Sequence, residues 1–296
     1  PSMSQYLGTK FTVLSVGRVM TCVLGMVVRR EREIRNFVKT PFYRVLGSFQ
    51  ATAKDGTPVL LDAEWKAVEG SKYFGTPYLY KENGFKEREK AEELIAYLKE
   101  EPPLEAKVLS KEKKKETKNP PLLYNLAELQ NDCSKMFKIS PDETLKVVQE
   151  LYEKKLVTYP RTDARVLSTA VAKEIYKNIN GLMRYEPMAG FAKEAMNLGS
   201  FKGIAKTRYV NDKQITDHYA IIPTGQGMGN LRGLSPLSEK VYQVVCRRFL
   251  SIFYPAAIYQ KYSLVLERKK EQFFASFKVL SEPGYLKVAD VNLAKK

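Results

Sequence analysis

The chain has 296 residues, and its 49 lysines and arginines exceed its 33 aspartates and glutamates to give a net charge of +16. This length predicts about two domains. The 44% of hydrophobic residues excludes a wholly disordered chain, since they can bury enough surface to offset the ordering entropy. The excess of positive charge indicates a polyanionic partner, with nucleic acid ahead of an anionic membrane surface.

The N-terminal part of the chain is predicted to be helical as far as Pro41. Apolar residues recur at helical spacing from Phe11 to Phe37. The longest apolar run, Val19 to Val28, is too short to cross a bilayer and is predicted to be a buried helix. Pro1 is followed by no secretory leader, and we expect the chain to be an excised piece of a longer intracellular protein.

β-Structure is predicted to follow this helix. Residues 43–51 alternate between apolar and polar as far as Asp55-Gly56, a hairpin turn signal, and residues 59–63 form the predicted partner strand. Lys86 to Lys99 is predicted to be an exposed amphipathic helix. Residues 110–121 are charged, end in two prolines and show no clear period, which predicts a crossover between domains.

The second half of the chain is predicted to be helical before strands return. Ser140 and Glu143 form a capping box at the start of the second of two adjacent short helices, which makes a helix-turn-helix plausible. Strand patterns return at residues 262–268 and 272–280. The predicted fold is α+β and multidomain, a β-rich domain interrupted by a helical one, with segments 1–37 (helical), 38–115 (β-rich), 116–236 (helical) and 237–296 (β-rich).

The cysteines of the chain are few and widely separated. No CxxC pair exists, so neither a zinc ribbon nor a disulfide framework is predicted. We interpret all three as reduced thiols in the protein core: Cys22, Cys133 and Cys246.

A tyrosine in the second half combines a nucleophilic side chain with neighbouring cations. The segment Leu156 to Arg161 contains β-branched residues and Pro160, so it is predicted to be short and extended. Residues i and i+2 of an extended chain share a face, so the phenol of Tyr159 and the guanidinium of Arg161 should project together, which suits phosphate chemistry. From these residues alone, a packed tyrosine ring remains the commoner explanation. Three further cations are candidate DNA contacts: Lys154, Lys155 and Arg165.

Three stretches of sequence resemble one enzyme family, in the same order along the chain. Residues 149–163, QELYEKKLVTYPRTD, resemble the active-site signature of type IA DNA topoisomerases, in the topoisomerase III branch. Residues 14–19, LSVGRV, followed by residues 30–34, REREI, and Phe37, resemble the family's helical segment beside its nucleotide-binding cleft. Residues 217–224, DHYAIIPT, resemble its histidine motif.

This resemblance implies a toroidal, arch-shaped fold and an ATP-independent DNA strand-passage activity. By resemblance, Tyr159 forms a 5′-phosphotyrosine link to single-stranded DNA, Arg161 holds the scissile phosphate, and His218 hydrogen-bonds nearby. Ser15 and Arg18 are implied to contact the upstream strand. The family's catalytic Mg²⁺ is bound by a Toprim domain that nothing in this sequence matches, so we expect no metal ligands in this chain and no relaxation of DNA without that domain.

Two residues depart from the family pattern, and other functions stay open. Met20 stands where the family usually has glutamine, and Tyr219 where this branch commonly has a second histidine, which leaves His218 as the only imidazole. A non-catalytic module that binds single-stranded DNA is the alternative function, and a basic peripheral membrane protein is a weaker one. We expect a cytoplasmic, nucleoid-associated, bacterial monomer.

Overall fold

The computed structural model describes residues 17–52 and 55–289. Within these limits the chain forms two compact units. The first contains the residues up to Lys107 together with Leu266–Phe274, and the second contains Val108–Val265 and the residues from Ala275 onward. The mixture of helices and antiparallel strands confirms the predicted α+β class.

The helices and strands follow one another in a mixed order. The helices are α1 Arg18–Arg35, α2 Arg88–Lys99, α3 Leu126–Phe137, α4 Pro141–Glu153, α5 Thr169–Leu182, α6 Glu186–Leu198, α7 Pro236–Ser251 and α8 Leu286–Ala289. The strands are β1 Leu46–Thr52, β2 Pro58–Lys66, β3 Leu79–Lys81, β4 Gly84–Phe85, β5 Lys107–Lys118, β6 Ala257–Arg268 and β7 Glu271–Glu282. Short 3₁₀ helices span Ser200–Lys206, Asp212–Gln214 and Met228–Gly233.

The first unit is built on the predicted hairpin of β1 and β2. These strands pair antiparallel from Leu46 opposite Glu64 to Thr52 opposite Pro58. The indole of Trp65 is fully buried and stacks on Phe85, with ring centroids 5.0 Å apart. The strands β1 and β2 confirm the predicted hairpin, and α2 confirms the helix predicted at residues 86–99.

Two side chains near the β6–β7 turn anchor it within the first unit. The carboxylate of Glu271 is buried and accepts hydrogen bonds from the indole N–H of Trp65 and the backbone N–H of Lys72, both at 2.7 Å. The guanidinium of Arg268 donates to five backbone carbonyls at and beyond the end of α2, at 2.7 to 3.2 Å. Carbonyls at a helix C-terminus lack partners within the helix, and this cation satisfies them.

The long N-terminal helix differs from the prediction of a buried segment. No residue of α1 is buried, and the apolar Val19, Met26 and Ile34 are all more than half exposed. Cys22 on the same helix is exposed, so its interpretation as a core thiol is wrong. The apolar spacing correctly predicted a helix, but none of the described residues packs over it. No helix in the described ranges is long and apolar enough to cross a membrane.

Residues 110–121, where the sequence predicts a crossover between domains, contain a strand that the sequence pattern did not indicate. Most of this segment belongs to β5, a strand of 12 residues that pairs with β6. Its lysines and glutamates hid the signal because strands usually contain few of either residue. An edge strand that exposes both faces tolerates this composition, and lysines there also discourage pairing with other chains.

The second unit has a helical core. Helix α4 packs on α3 and α7, and α7 also packs on α6. Ser140 caps α4 as predicted, since its hydroxyl accepts the backbone N–H of Glu143. Cys133 and Cys246 lie within this core, as expected of reduced thiols. The strands predicted after α7 are present as β6 and β7.

One close approach of two glycines joins α5 to the segment that carries the predicted histidine motif. A Cβ atom on Gly181 would lie 2.0 Å from the backbone oxygen of Gly225, whose φ of +73° also favours glycine. Only the missing side chain lets the two backbones approach this closely.

Gly181→Ala should therefore destabilise the second unit by about 2 kcal/mol, because the clash is with backbone and cannot be relieved by a rotamer change. Gly190→Ala is the matched control: Gly190 is in α6, and a Cβ atom added there would have no other atom within 4 Å. That variant should be about 0.5–1 kcal/mol more stable than the original. Urea unfolding followed by circular dichroism measures both, and equal effects of the two substitutions would contradict the contact.

Candidate active site

The segment that carries Tyr159 begins where α4 ends and the chain turns sharply. Lys155 adopts a left-handed backbone conformation, with φ of +59°. The backbone N–H of Lys155 bonds to the carbonyl of Tyr152, and the N–H of Leu156 bonds to that of Leu151. These bonds satisfy the last carbonyls of the helix and turn the chain into an extended path. Leu156 and Val157 are buried and fix the start of that path in the core.

The extended segment pairs with the histidine motif through backbone hydrogen bonds. Val157 forms an isolated antiparallel bridge with Pro223. The N–H of Thr158 donates to the carbonyl of Ile222, and the N–H of Thr224 donates to that of Leu156, both at 3.0 Å. Two motifs about sixty residues apart in sequence are thereby held side by side.

Three threonine hydroxyls reinforce this pairing. Thr158 donates to the carbonyl of Ala220 at 3.0 Å, and Thr224 donates to the carbonyl of Lys155 at 2.6 Å. Thr162 is buried and donates to the carbonyl of His218 at 2.8 Å. The backbone position of the histidine is therefore fixed from the tyrosine-bearing segment.

Burial alternates along the extended segment and leaves Tyr159 accessible. Pro160, Thr162 and Ala164 are buried, whereas Tyr159 is half-buried and Arg161 is exposed. This is the alternation expected where every second side chain faces the core. The structure thus places Arg161 on the accessible side, two residues after the tyrosine.

Tyr159 lines an open cavity of about 550 Å³. Its ring centroid lies 4.3 Å from that of His218, with the planes tilted by 41°. The ring of Tyr152 meets that of Tyr159 edge to face, at 5.5 Å and 82°. Burial raises the pKa of Tyr219 above its ordinary value. The lining residues are Tyr152, Glu153, Lys155, Val157, Thr158, Tyr159, His218, Tyr219, Thr224 and Gln226.

Of the three predicted cations, one lines the cavity and two form ion pairs within the protein. Lys155 is exposed and lines the cavity. Lys154 instead pairs with Glu150 at 2.9 Å and donates to the carbonyl of Gly233. This ion pair, with a hydrogen bond from Ser238, lowers the pKa of the Glu150 carboxyl. Arg165 is similarly engaged: it lies 3.3 Å from the carboxylate of Glu128 and donates to the carbonyl of Leu123.

The remaining predicted DNA contacts belong to the N-terminal part of the chain. Arg18 is the first residue of α1, in the first unit, and its side chain is exposed. Ser15 lies outside the described residues. Across residues 17–52 and 55–289, no three His, Cys, Asp or Glu side chains come together in a way that could hold a metal ion. The described residues therefore do not fit a magnesium site.

Reasoning from sequence missed the residues that assemble this site. That Tyr159 and Arg161 share a face could be predicted from one extended segment alone. The hydrogen bonds of Thr158, Thr162 and Thr224 could not, because each joins two segments that are far apart in sequence. The available signal was the recurrence of threonine within both motifs, since buried hydroxyls require hydrogen-bond partners.

Comparison with known proteins matches the chain to one family. A family model described as DNA topoisomerase matches residues 2–296. DNA topoisomerase 3 of Bacillus subtilis is 36% identical over 290 residues, which cover 96% of this chain and 36% of the relative. DNA topoisomerase 3 of Bacillus licheniformis is 33% identical over 286 residues, again 96% of this chain and 36% of the relative. The chain thus spans little more than a third of these relatives.

A solved structure has a similar fold. The full-length topoisomerase I from Thermotoga maritima matches 97% of this chain and 42% of its own chain, with a TM-score of 0.59 and 24% sequence identity. At this identity the likeness is one of fold.

The threonine contact to the histidine motif leads to a testable expectation. Thr162→Val keeps the shape of the side chain but leaves the carbonyl of His218 and the N–H of Ala164 without their partner. Unsatisfied buried groups cost about 1–3 kcal/mol, so the free energy of unfolding should fall by that amount in urea denaturation. Thr162→Ser keeps the hydroxyl and should lose about 0.8 kcal/mol for its missing methyl group. A valine variant as stable as the serine variant would contradict the role assigned to the hydroxyl.

Proposed function

Because this chain belongs to the DNA topoisomerase family, we propose that it carries the nucleophile of a type IA enzyme that cuts, passes and rejoins single DNA strands. The family predicted from the sequence motifs is the one that the comparisons show. The activity is a proposal for the longer protein, since the chain spans only part of its relatives. The observation that carries it is the accessible phenol of Tyr159 in an open cavity beside His218 and Lys155.

The proposed reaction is a reversible transesterification at Tyr159. The phenol oxygen attacks the phosphorus of a phosphodiester and gives up its proton. The bond from phosphorus to the 3′ oxygen breaks, that oxygen takes up a proton, and the 5′ phosphate stays on the tyrosine. One ester replaces another, so the reverse attack by the 3′ hydroxyl rejoins the strand without ATP.

The neighbouring side chains have distinct proposed roles. Arg161 clamps the phosphate, because a guanidinium matches the geometry of phosphate oxygens and remains charged. His218 hydrogen-bonds the scissile phosphate from beside the phenol, as its ring position allows. Lys155 adds positive charge at the cavity wall. Lys154 and Arg165 act mainly within the protein, because each already has an acidic partner.

The proposed substrate is single-stranded DNA. The cavity wall contains the aromatic side chains of Tyr152 and Tyr219, which can stack on unpaired bases. The charge of +16 favours any nucleic acid, so the preference for a single strand over a duplex is the informative quantity. Arg18 and Ser15 are proposed to contact the strand upstream of the cleaved bond. We propose a monomer that acts with a Mg²⁺-binding region present in the longer protein.

The experiment that tests this function traps the covalent intermediate. The chain replaces the matching region of the Bacillus subtilis relative, and the chimera is incubated with a labelled single-stranded oligonucleotide and Mg²⁺ and then denatured. The label should stay on the protein, and peptide mapping should place it on Tyr159. Tyr159→Phe should abolish the adduct but leave DNA affinity almost unchanged, because only the hydroxyl is lost.

A second substitution separates binding from chemistry. Arg161→Ala should weaken single-strand binding about tenfold, the effect of losing one charge-assisted hydrogen bond. Lys173→Ala is the charge-matched control, since Lys173 is exposed on α5 and does not line the cavity. An adduct that survives Tyr159→Phe would show that another residue is the nucleophile. Binding without any adduct in a chimera that folds would favour the non-catalytic module.

A further inference from the structure

The sheet of the second unit has two faces of different charge. In this unit β6 lies between β5 and β7, and side chains alternate between the faces along each strand. The acids of these strand segments, Glu112, Glu116 and Glu282, all fall on one face. The other face, which we call the acid-free face, carries Lys111, Lys113, Lys115, Tyr262 and Phe277.

Contacts between side chains agree with this division. On the acidic face, Glu112 pairs with Lys114 at 3.0 Å and Glu116 pairs with Lys278 at 2.5 Å. On the acid-free face, the ammonium of Lys113 lies 5.8 Å from the ring centroid of Tyr262. These contacts therefore place the side chains on the two faces as the alternation along each strand predicts.

The lysines of the acid-free face have no ion-pair partner among the described residues. Lys111, Lys113 and Lys115 are exposed, and no carboxylate of the described residues forms an ion pair with any of them. Successive lysines on one face of a strand are about 6.6 Å apart at their Cα atoms. This arrangement is a row of cations that form no ion pair within the described part of the chain.

An aromatic pair lies beside this row. The rings of Tyr262 and Phe277 stack with centroids 5.2 Å apart and planes 20° from parallel. Phe277 nevertheless remains 42% exposed, and apolar surface left in water is unfavourable. Val279, two residues further along β7 on the same face, is 49% exposed. The acid-free face thus combines cations with an accessible aromatic platform.

Protection of the sheet edge does not explain this pattern. Lysines on an edge strand prevent pairing with other chains wherever they point. That role gives no reason for excluding acids from one face, nor for leaving an aromatic pair exposed there. Proteins that bind single-stranded nucleic acid combine two such elements: a row of cations that contact phosphates, and aromatic rings that stack on bases.

We propose that the acid-free face is a second binding site for single-stranded nucleic acid, separate from the Tyr159 cavity. Lys111, Lys113 and Lys115 contact consecutive phosphates, and a base stacks on the Phe277 ring. A duplex fits less well, because its bases are already stacked and present no free ring face. The site needs no contribution from Tyr159 and stands whether or not the proposed cleavage activity does.

The test measures how binding of an oligothymidylate depends on salt concentration. Fluorescence anisotropy follows the full chain and a variant with Lys111, Lys113 and Lys115 all replaced by alanine. Loss of three phosphate contacts should lower the slope of log affinity against log salt by about 2. Phe277→Leu removes the stacking ring and should weaken binding about tenfold without changing that slope.

Matched controls use the opposite face of the same strands. Replacement of Lys114, Lys118 and Lys261 by alanine removes the same charge and should leave the slope unchanged. Leu280→Ala controls for the loss of exposed apolar surface on β7. All substituted side chains are at least partly exposed, so thermal unfolding should show that each variant folds.

Photocrosslinking locates the bound strand. An oligothymidylate that carries 5-iodouracil should crosslink to Tyr262 or Phe277, and this product should persist in Tyr159→Phe. Three results would overturn the proposal: equal slope changes in both lysine variants, crosslinks that map only to the Tyr159 cavity, or tighter binding of a duplex than of the single strand.

Discussion

The pairing of two distant segments is the constraint on which the candidate active site depends. Backbone bonds between residues 156–158 and 222–224 hold the tyrosine segment against the histidine motif. Threonine hydroxyls extend the pairing at both ends, to Lys155 and to His218. Without this pairing, Tyr159 and His218 would be side chains on separate loops, and the cavity that both of them line would not form.

The surrounding helices supply what this pairing requires. The end of α4 turns the chain at Lys155, and the buried side chains of Leu156 and Ile222 tie both segments to the helical core. The contact of Gly181 with Gly225 brings α5 against the far end of the histidine motif. A rigid support of this kind holds an accessible phenol in a fixed orientation, which catalysis by proximity and orientation requires.

The sequence predicted local features better than those that depend on distant partners. The capped start of α4, the hairpin at Asp55-Gly56 and the extended course around Pro160 each follow from a few adjacent residues, and the structure shows all three. The exposure of α1 and the strand β5 were missed, because burial and strand pairing depend on what lies beside a segment. For the same reason the sequence could not show that Arg165 has an acidic partner, since Glu128 lies far away in sequence. The pair of Lys154 with Glu150 is different, because the two residues are four apart along the chain, a local signal.

The resonance of a single histidine tests most directly whether the two motifs form one site. His218 is the only histidine of the chain, so its ring gives one identifiable signal in a proton–carbon NMR spectrum. With the Tyr159 ring centroid at 4.3 Å, the aromatic ring current should displace the His218 Hε1 signal. We predict a clear change of that shift in Tyr159→Leu and little change in Tyr159→Phe, which keeps a ring in place. The same shift in the original chain and in Tyr159→Leu would contradict the account.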